Sequence, residues 1–299
     1  MTTRCVLVVP AHNEAASIAR CLSSVREAPL PHGFEWREWR VLDDGSTDQT
    51  AQQVRNWASE NPTVPLALVQ AATRRGKIAT VKSCHEDLVA QGHLQDVIVF
   101  MDADVTIKTD ALTAVLAGFE EADVVAVTGL SLPNRRKLGC RGSAFQIALA
   151  ANFAQELGPD FTRIEGRLYA YRLGALADLH LEAGLIVEDT QMTEFLLEHK
   201  LRVKSAFGAV INVTPAASYW DFYKQTYRGY QAAALAGPKF PARTYVTTPF
   251  ARRALLRTIR ADPIGAAAYT AARTVAALLH RIRPVTFTDQ FLASESTKV

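Results

Sequence analysis

The sequence predicts an α/β fold in which a mostly parallel sheet is covered by helices on both faces, and three observations predict it. Apolar runs of six to eight residues (CVLVVP, WRVLDD, PLALVQA, VIVFMDAD, DVVAVTGL) recur through the first 131 residues. Between them, apolar residues return at helical spacing. Strands read as continuous apolar runs when helices bury both of their faces. Finally, polar residues collect where the runs end, which is where open α/β sheets bind ligands.

The elements follow in order. CVLVVP (5–10) reads as the first strand, and Ile18, Cys21, Leu22 and Val25 then mark a helix. WRVLDD (39–44) is the second strand, with a helix over 51–58. PLALVQA (65–71) is the third, followed by a helix whose apolar face is Ile78, Val81, Cys84 and Leu88. VIVFMDAD (97–104) is the fourth, and a strand would put Asp102 and Asp104 on one face. Leu112, Val115, Leu116 and Phe119 mark the next helix, and DVVAVTGL (123–130) closes the series. Beyond residue 140 the rhythm changes: a helix over 143–157, a strand over 163–172, a helix over 189–200, a strand over 202–213 and an aromatic-rich helix over 218–235. GPKFPARTYVTTP (237–249), with three prolines and a glycine, reads as a loop and a candidate lid. The tail from 250 is helical and basic.

Composition sets the bounds. Of 299 residues, 48% are hydrophobic and 21% charged, which describes a globular chain. The net charge of +3 is too small to argue for nucleic acid as a partner. Cys5, Cys21, Cys84 and Cys140 have no C-x-x-C spacing and lie in or beside apolar stretches, so they read as buried thiols. The N-terminal stretch turns polar too soon for a signal peptide, and no run is long and apolar enough to span a bilayer. A cytoplasmic protein is expected.

Each polar cluster suits one part of a nucleoside diphosphate. The first run ends in P-A-H-N-E (10–14) and the second in D-D-G-S-T-D (43–48); R-R-G-K (74–77) follows the third, and D-A-D (102–104) ends the fourth. Asp43 and Asp44 are acceptors for a base N–H and ribose hydroxyls. Arg74, Arg75 and Lys77 beside Gly76 can meet diphosphate charge near a helix start. Two like charges at Asp102 and Asp104 call for a positive partner, and a divalent ion bound by oxygens supplies one. Ser46 and Asp48 read equally well as helix caps.

These motifs, with G-K-I-A-T, the E-D pair (188–189) and Q-T-Y-R-G (225–229), stand in the order found in the family 2 glycosyltransferases, which the chain resembles over roughly residues 4–232. The resemblance implies a GT-A fold and an inverting nucleotide-sugar transferase. It implies that Pro10, Ala11, Asn13, Glu14, Asp43 and Asp44 line the nucleoside site, flanked by Gly76 and Lys77. It also implies that Asp102 reaches the ribose or diphosphate and helps with the metal, that Asp104 is the direct ligand of Mn2+ or Mg2+, and that Asp189 is the base, supported by Glu188. Arg228 would touch the diphosphate. The processive pattern Gln-x-x-Arg-Trp is matched at Gln225 and Arg228 but has Gly229 in place of Trp, which points away from polymer synthesis.

The expected organisation is one GT-A domain over 1–249, with a nucleotide-binding half (1–131) and an acceptor-side half (132–249), followed by a helical extension over 250–299. The expected reaction moves one sugar, from a UDP-sugar, to a hydroxyl or amine of a small-molecule or lipid-linked acceptor. A sugar-phosphate nucleotidyltransferase is the rival enzyme, though P-A-H-N-E is not its Gly-rich loop. A catalytically inactive nucleotide-sugar-binding protein is the non-enzyme rival. Glu188 and Asp189 open a helix, where first-turn carboxylates suit the dipole and tend to stay ionised. From Ala251 to Pro284, seven arginines face the single acid Asp262, a local charge of +6, alongside Leu255, Leu256, Ile259, Val275, Leu278, Leu279 and Ile282. Basic amphipathic helices of this kind either pack on the catalytic domain or lie peripherally on an anionic membrane.

Overall fold

The computed structural model describes residues 2–134, 140–160, 163–182, 188–235 and 249–282, with side chains through Tyr227 in the fourth segment and Leu279 in the last. An eight-stranded sheet has the order β3-β2-β1-β4-β7-β6-β8-β5. The first four strands are β1 (Thr3–Ala11), β2 (Phe34–Asp43), β3 (Leu66–Gln70) and β4 (Val97–Met101). The others are β5 (Thr106–Ile107), β6 (Val124–Pro133), β7 (Leu168–Arg172) and β8 (Arg202–Val213). β1 pairs in parallel with β2 and β4, and β2 with β3; β7 runs antiparallel to both β4 and β6. By chain contacts the protein divides into two units: 1–130, 159–183 and 187–211; and 131–158, 184–186 and 212–299.

In the first unit, every residue of β4 is buried, as a strand covered on both faces requires. Helices α1 (Ile18–Arg26), α2 (Thr50–Glu60), α3 (Lys77–Ala90), α4 (Ala111–Ala117) and α6 (Glu188–Glu198) belong to this unit. Ile78, Val81 and Leu88 of α3, Met192 and Leu196 of α6, and Phe100, Tyr169 and Tyr171 of the sheet form one core cluster. Each fully buried Leu there contributes about 1.5–3 kcal/mol. His85 lies inside the same unit, with Nε2 3.0 Å from the Leu176 carbonyl and Nδ1 3.1 Å from the Tyr171 hydroxyl. A carbonyl only accepts, so Nε2 carries the proton and Nδ1 accepts from Tyr171. Burial lowers the pKa of this imidazole.

Two expected strands are shorter than the sequence suggests. The fourth stops at Met101, where β4–β7 pairing ends opposite Leu168; the Asp102 N–H still donates to the Arg167 carbonyl at 3.1 Å, and then the chain turns. Asp102 and Asp104 therefore lie on a turn, and the two-residue repeat of a strand does not set their directions. The strand expected from 163 begins only at Leu168, leaving 163–167 as a loop. The second strand is longer at its start, from Phe34. All four cysteines are buried free thiols, as expected.

The second unit holds α5 (Arg141–Leu157), α7 (Tyr219–Leu235), α8 (Pro249–Ala261) and α9 (Pro263–Ile282). Cys140, Ala216 and Phe222, with Tyr269 and Ala272 against them, form its core cluster. Asp262 sits between α8 and α9 and accepts from the Gly265 N–H at 2.9 Å and from Arg141 at 2.6 Å. Glu156 of α5 accepts from Arg253 of α8 at 2.7 Å.

Candidate active site

The polar clusters of the first unit meet at one edge because the register aligns three strand ends: Ala11 pairs with Asp43, and Asp43 with Gln70. Pro10 and Ala11 complete β1, and Asn13 follows in a left-handed turn at φ 56°. Asn13 Oδ1 accepts from the Thr47 N–H at 2.8 Å, and its own N–H donates to Ser46 Oγ at 3.0 Å. The Glu14 N–H donates to Thr50 Oγ1 at 2.7 Å, while its carboxylate accepts from Ser17 Oγ at 2.6 Å. The loops after β1 and β2 are thereby joined. Asp48 accepts from the Thr50 N–H at 2.9 Å where α2 starts, which is capping chemistry.

Asp43 and Asp44 are 2% and 3% exposed, so their carboxylates are occupied internally. Asp43 accepts from the Ser46 N–H at 2.9 Å and from Gln70 at 3.1 Å. Asp44 accepts from the N–H groups of Arg75 and Gly76, both at 2.8 Å, and from Thr80 Oγ1 at 2.9 Å. The N-cap position of α3 is Gly76, which has no side chain to cap with, so Asp44 closes that helix start from another strand. Between the two loops, Gly45 (φ 64°) comes so close to the 73–74 backbone that an added Cβ would lie 2.5 Å from the Arg74 nitrogen.

Lys77, the first residue of α3, joins three distant motifs. Its Nζ lies 2.7 Å from Asp102 Oδ1 and 2.5 Å from Glu188 Oε1, and 5.1 Å above the Phe100 ring. Burial works against this ammonium, but Asp102 and Glu188 outweigh it and hold its pKa well above the usual lysine value. Lys77 is therefore a fixed cation. Glu188 is 1% exposed and gives one oxygen to Lys77, while its buried Oε2 has no hydrogen-bond partner among the described residues. The Tyr169 hydroxyl is likewise buried with no hydrogen-bond partner among the described residues.

The two carboxylates of D-A-D differ. Asp102 is neutralised by Lys77, whereas Asp104 makes no hydrogen bond or ion pair among the described residues. Burial, and then the negative charges of Asp102 and Glu14, push the Asp104 carboxyl up to about 7. Arg167 and Lys77 act in the opposite direction without cancelling that rise. No group of three or more His, Cys, Asp or Glu is placed to hold an ion among the described residues. One or two carboxylates completed by substrate phosphates is the usual arrangement for Mg2+, and Asp104 with the remaining oxygen of Asp102 fits that chemistry.

Asp189 follows Glu188 in the first turn of α6 and packs against the 163–167 loop. An added Cβ on Gly166 would lie 2.7 Å from Asp189 Oδ2, so a larger residue there would push this carboxylate from its position. Thr193 Oγ1 donates to the Asp189 carbonyl at 2.7 Å and accepts from the Ile164 N–H at 3.0 Å, which ties that loop to α6. The helix start was expected to keep Asp189 ionised; burial instead raises its pKa, with Lys77 and Arg163 opposing. Desolvation outweighs the helix dipole here.

The structure thus gathers Pro10, Ala11, Asn13, Glu14, Asp43, Asp44, Gly76, Lys77, Asp102, Asp104, Glu188 and Asp189 in the first unit. Gln225 lies on α7 in the second unit, and the side chain of Arg228 lies outside the described residues, as do residues 237–248 of the candidate lid (237–249). Sequence reading missed Gly166 and Tyr169, and it quoted Thr80 within G-K-I-A-T without giving it a role. Of the two missed residues, Gly166 had a signal, an isolated glycine inside a strand pattern.

Residues 6–137 match the family described as "Glycosyl transferase family 2". No curated protein matches the chain. Among solved structures, the mannosyltransferase PcManGT from Pyrobaculum calidifontis, in complex with GDP-Man and Mn2+, is similar with a TM-score of 0.60 and 21% identity, over 96% of this chain and 82% of that one. S. aureus TarS 1–349 in complex with UDP is similar with a TM-score of 0.52 and 16% identity, over 98% of this chain and 99% of that one. GalNAc-T7 with UDP, GalNAc and Mn2+ gives 0.51 and 13% identity over 70% of this chain, which spans 42% of that protein. At these identities the likeness is one of fold, and the fold is GT-A. The family 2 glycosyltransferase match thus covers residues 6–137, less than half of the chain.

Proposed function

We propose that the chain is an inverting, metal-dependent glycosyltransferase that moves one sugar from a nucleotide-sugar donor, a UDP-sugar, to the hydroxyl or amine of a small-molecule or lipid-linked acceptor. The observation that carries this reading is Lys77, which draws Asp102 and Glu188 together beside Asp189 although the motifs lie far apart in sequence. In this reading, Pro10, Ala11, Asn13, Glu14, Asp43 and Asp44 frame the nucleoside, and Gly76, Lys77 and Arg228 flank the diphosphate. Asp104 and Asp102 hold Mn2+ or Mg2+, which when bound neutralises charge on the leaving phosphates. The acceptor attacks the anomeric carbon from the face opposite the diphosphate. As the new bond forms, the bond to the phosphate oxygen breaks and its electron pair leaves with the nucleoside diphosphate. Asp189 takes the acceptor's proton. Lys77 holds Glu188 against Asp102, and Gly166 leaves the space in which Asp189 sits. Gly229, where processive enzymes have Trp, supports a single transfer. The neighbours solved with GDP-Man and with UDP support a nucleoside-diphosphate sugar and leave both bases to be tried.

The test measures nucleotide release from a panel of UDP- and GDP-sugars, with Mn2+ and with chelator, and the anomeric configuration of the product. Chelator and Asp104→Ala should each abolish release while the melting temperature is kept. Full activity in chelator would remove the metal from the mechanism, and a retained configuration would remove inversion.

A further inference from the structure

Helices α8 and α9 bury the wrong side chains for a globular core. In α8 the buried residues are Ala254 and Thr258, while Leu255 and Leu256 are 40% and 52% exposed. In α9, Gly265, Ala268 and Ala276 are buried, and Ile264, Val275, Leu278 and Leu279 stand outward. Of the twelve exposed large apolar side chains among the described residues, seven lie on these two helices, Phe250 included. Exposed positions 264, 267, 271, 275 and 278 run down α9 as one uncharged stripe. Between the helices, Leu255, Ile259, Tyr269, Ala277 and Leu278 line an apolar groove of about 540 Å³ floored by Phe145.

Among the described residues every exposed charged side chain on these two helices is an arginine; half-buried Asp262 is paired with Arg141, and Glu156 of α5 takes up Arg253 and Arg257. Arg252 and Arg260 stand one turn either side of Leu256 on α8, both exposed and without an ion-pair partner among the described residues. Arg273 is exposed beside the groove. A second copy meeting this face about a two-fold axis would set arginine against arginine. No helix here is long and apolar enough to cross a bilayer. Outward Leu, Ile and Val edged by arginine match a surface with acyl chains below and phosphates above. We propose that the α8–α9 face is a docking surface for an anionic lipid bilayer, on which the two helices lie in the interfacial plane. This goes beyond the proposed transfer reaction and stands whether or not that reaction is correct.

The test is co-sedimentation of the full chain with phosphatidylglycerol–phosphatidylcholine vesicles and with phosphatidylcholine vesicles alone. Binding should favour the anionic vesicles, weaken with salt, and fall about fivefold for each of Arg252→Gln and Arg260→Gln. Leu256→Glu with Leu278→Glu should abolish it with an unchanged circular dichroism spectrum. The salt series on the unaltered chain reads the same outcome should that variant misfold. Absence of binding, or equal binding to both vesicles, overturns the proposal. So does a dimer that the same substitutions dissociate, which would give the face to a second copy.

Discussion

Helices α3 and α9 both carry apolar residues at helical spacing, and they bury opposite kinds of side chain. α3 turns Ile78, Val81, Cys84 and Leu88 inward, and its polar start is tied down by Asp44, the residue just after β2. α9 turns Gly265, Ala268 and Ala276 inward and leaves Val275, Leu278 and Leu279 outside. The difference teaches that an apolar stripe tells which residues share a helix face, not which medium that face meets. Small residues let helices approach closely, and the large ones are then free to meet something else. At the α3 end, buried polar groups hold the geometry; at α9, exposed apolar groups await a surface.

Four substitutions sharpen that contrast, and the largest effect is expected at the buried carboxylates. Asp189→Asn keeps the shape in the space left by Gly166 and removes the base. Transfer should fall about 10²-fold or more while nucleotide binding holds; normal transfer with a dead Glu188→Gln variant would reverse the two roles. Next is Lys77→Met, which leaves buried Glu188 facing Asp102 without a cation. The cost expected in urea denaturation is about 2 kcal/mol, below the 3–5 kcal/mol of a wholly buried pair because the Lys77 side chain is 38% exposed. Adding Glu188→Gln should recover part of that loss, and strict additivity would mean the pair carries no coupling.

The third prediction concerns pH. Burial lowers the His85 pKa in the folded chain, while the unfolded chain protonates near its ordinary value of about 6.5. Stability from this site is therefore complete above about pH 6.5 and declines as pH falls below it, by at most about 1.4 kcal/mol per pH unit, levelling off below the folded pKa. In His85→Gln that part of the slope should vanish; an identical pH profile would locate the titration elsewhere. The smallest effect is expected at α9. Leu278→Glu should change stability by less than about 0.5 kcal/mol, and a loss of several kcal/mol would show that this side chain is core after all.

Much of the fold was legible because buried strands and amphipathic helices leave strong periodic signals, as in VIVF and the α3 stripe. Strand ends were less so. Nothing in FMDAD says that pairing with β7 stops at Met101, because the partner strand lies more than sixty residues later. The site residues were legible as motifs, but not as a wiring diagram. That Lys77 meets both Asp102 and Glu188, or that Asp189 depends on Gly166, is fixed by tertiary approach. Asp44 shows the limit well: a carboxylate at a strand end reads as a ligand, and here it accepts three hydrogen bonds from the segment before and within α3.

That closure by Asp44 has a mechanical consequence. The carboxylate clamps the amides of Arg75 and Gly76, and the next residue in the chain is Lys77. The strand-two loop and the helix that carries the lysine are thus one lever with its fulcrum at residue 44. A shift of the loop at Asp44 would pass through Gly76 to the cation shared by Asp102 and Glu188. Amide exchange at Arg75 and Gly76 should accordingly be slow and change together when nucleotide is added.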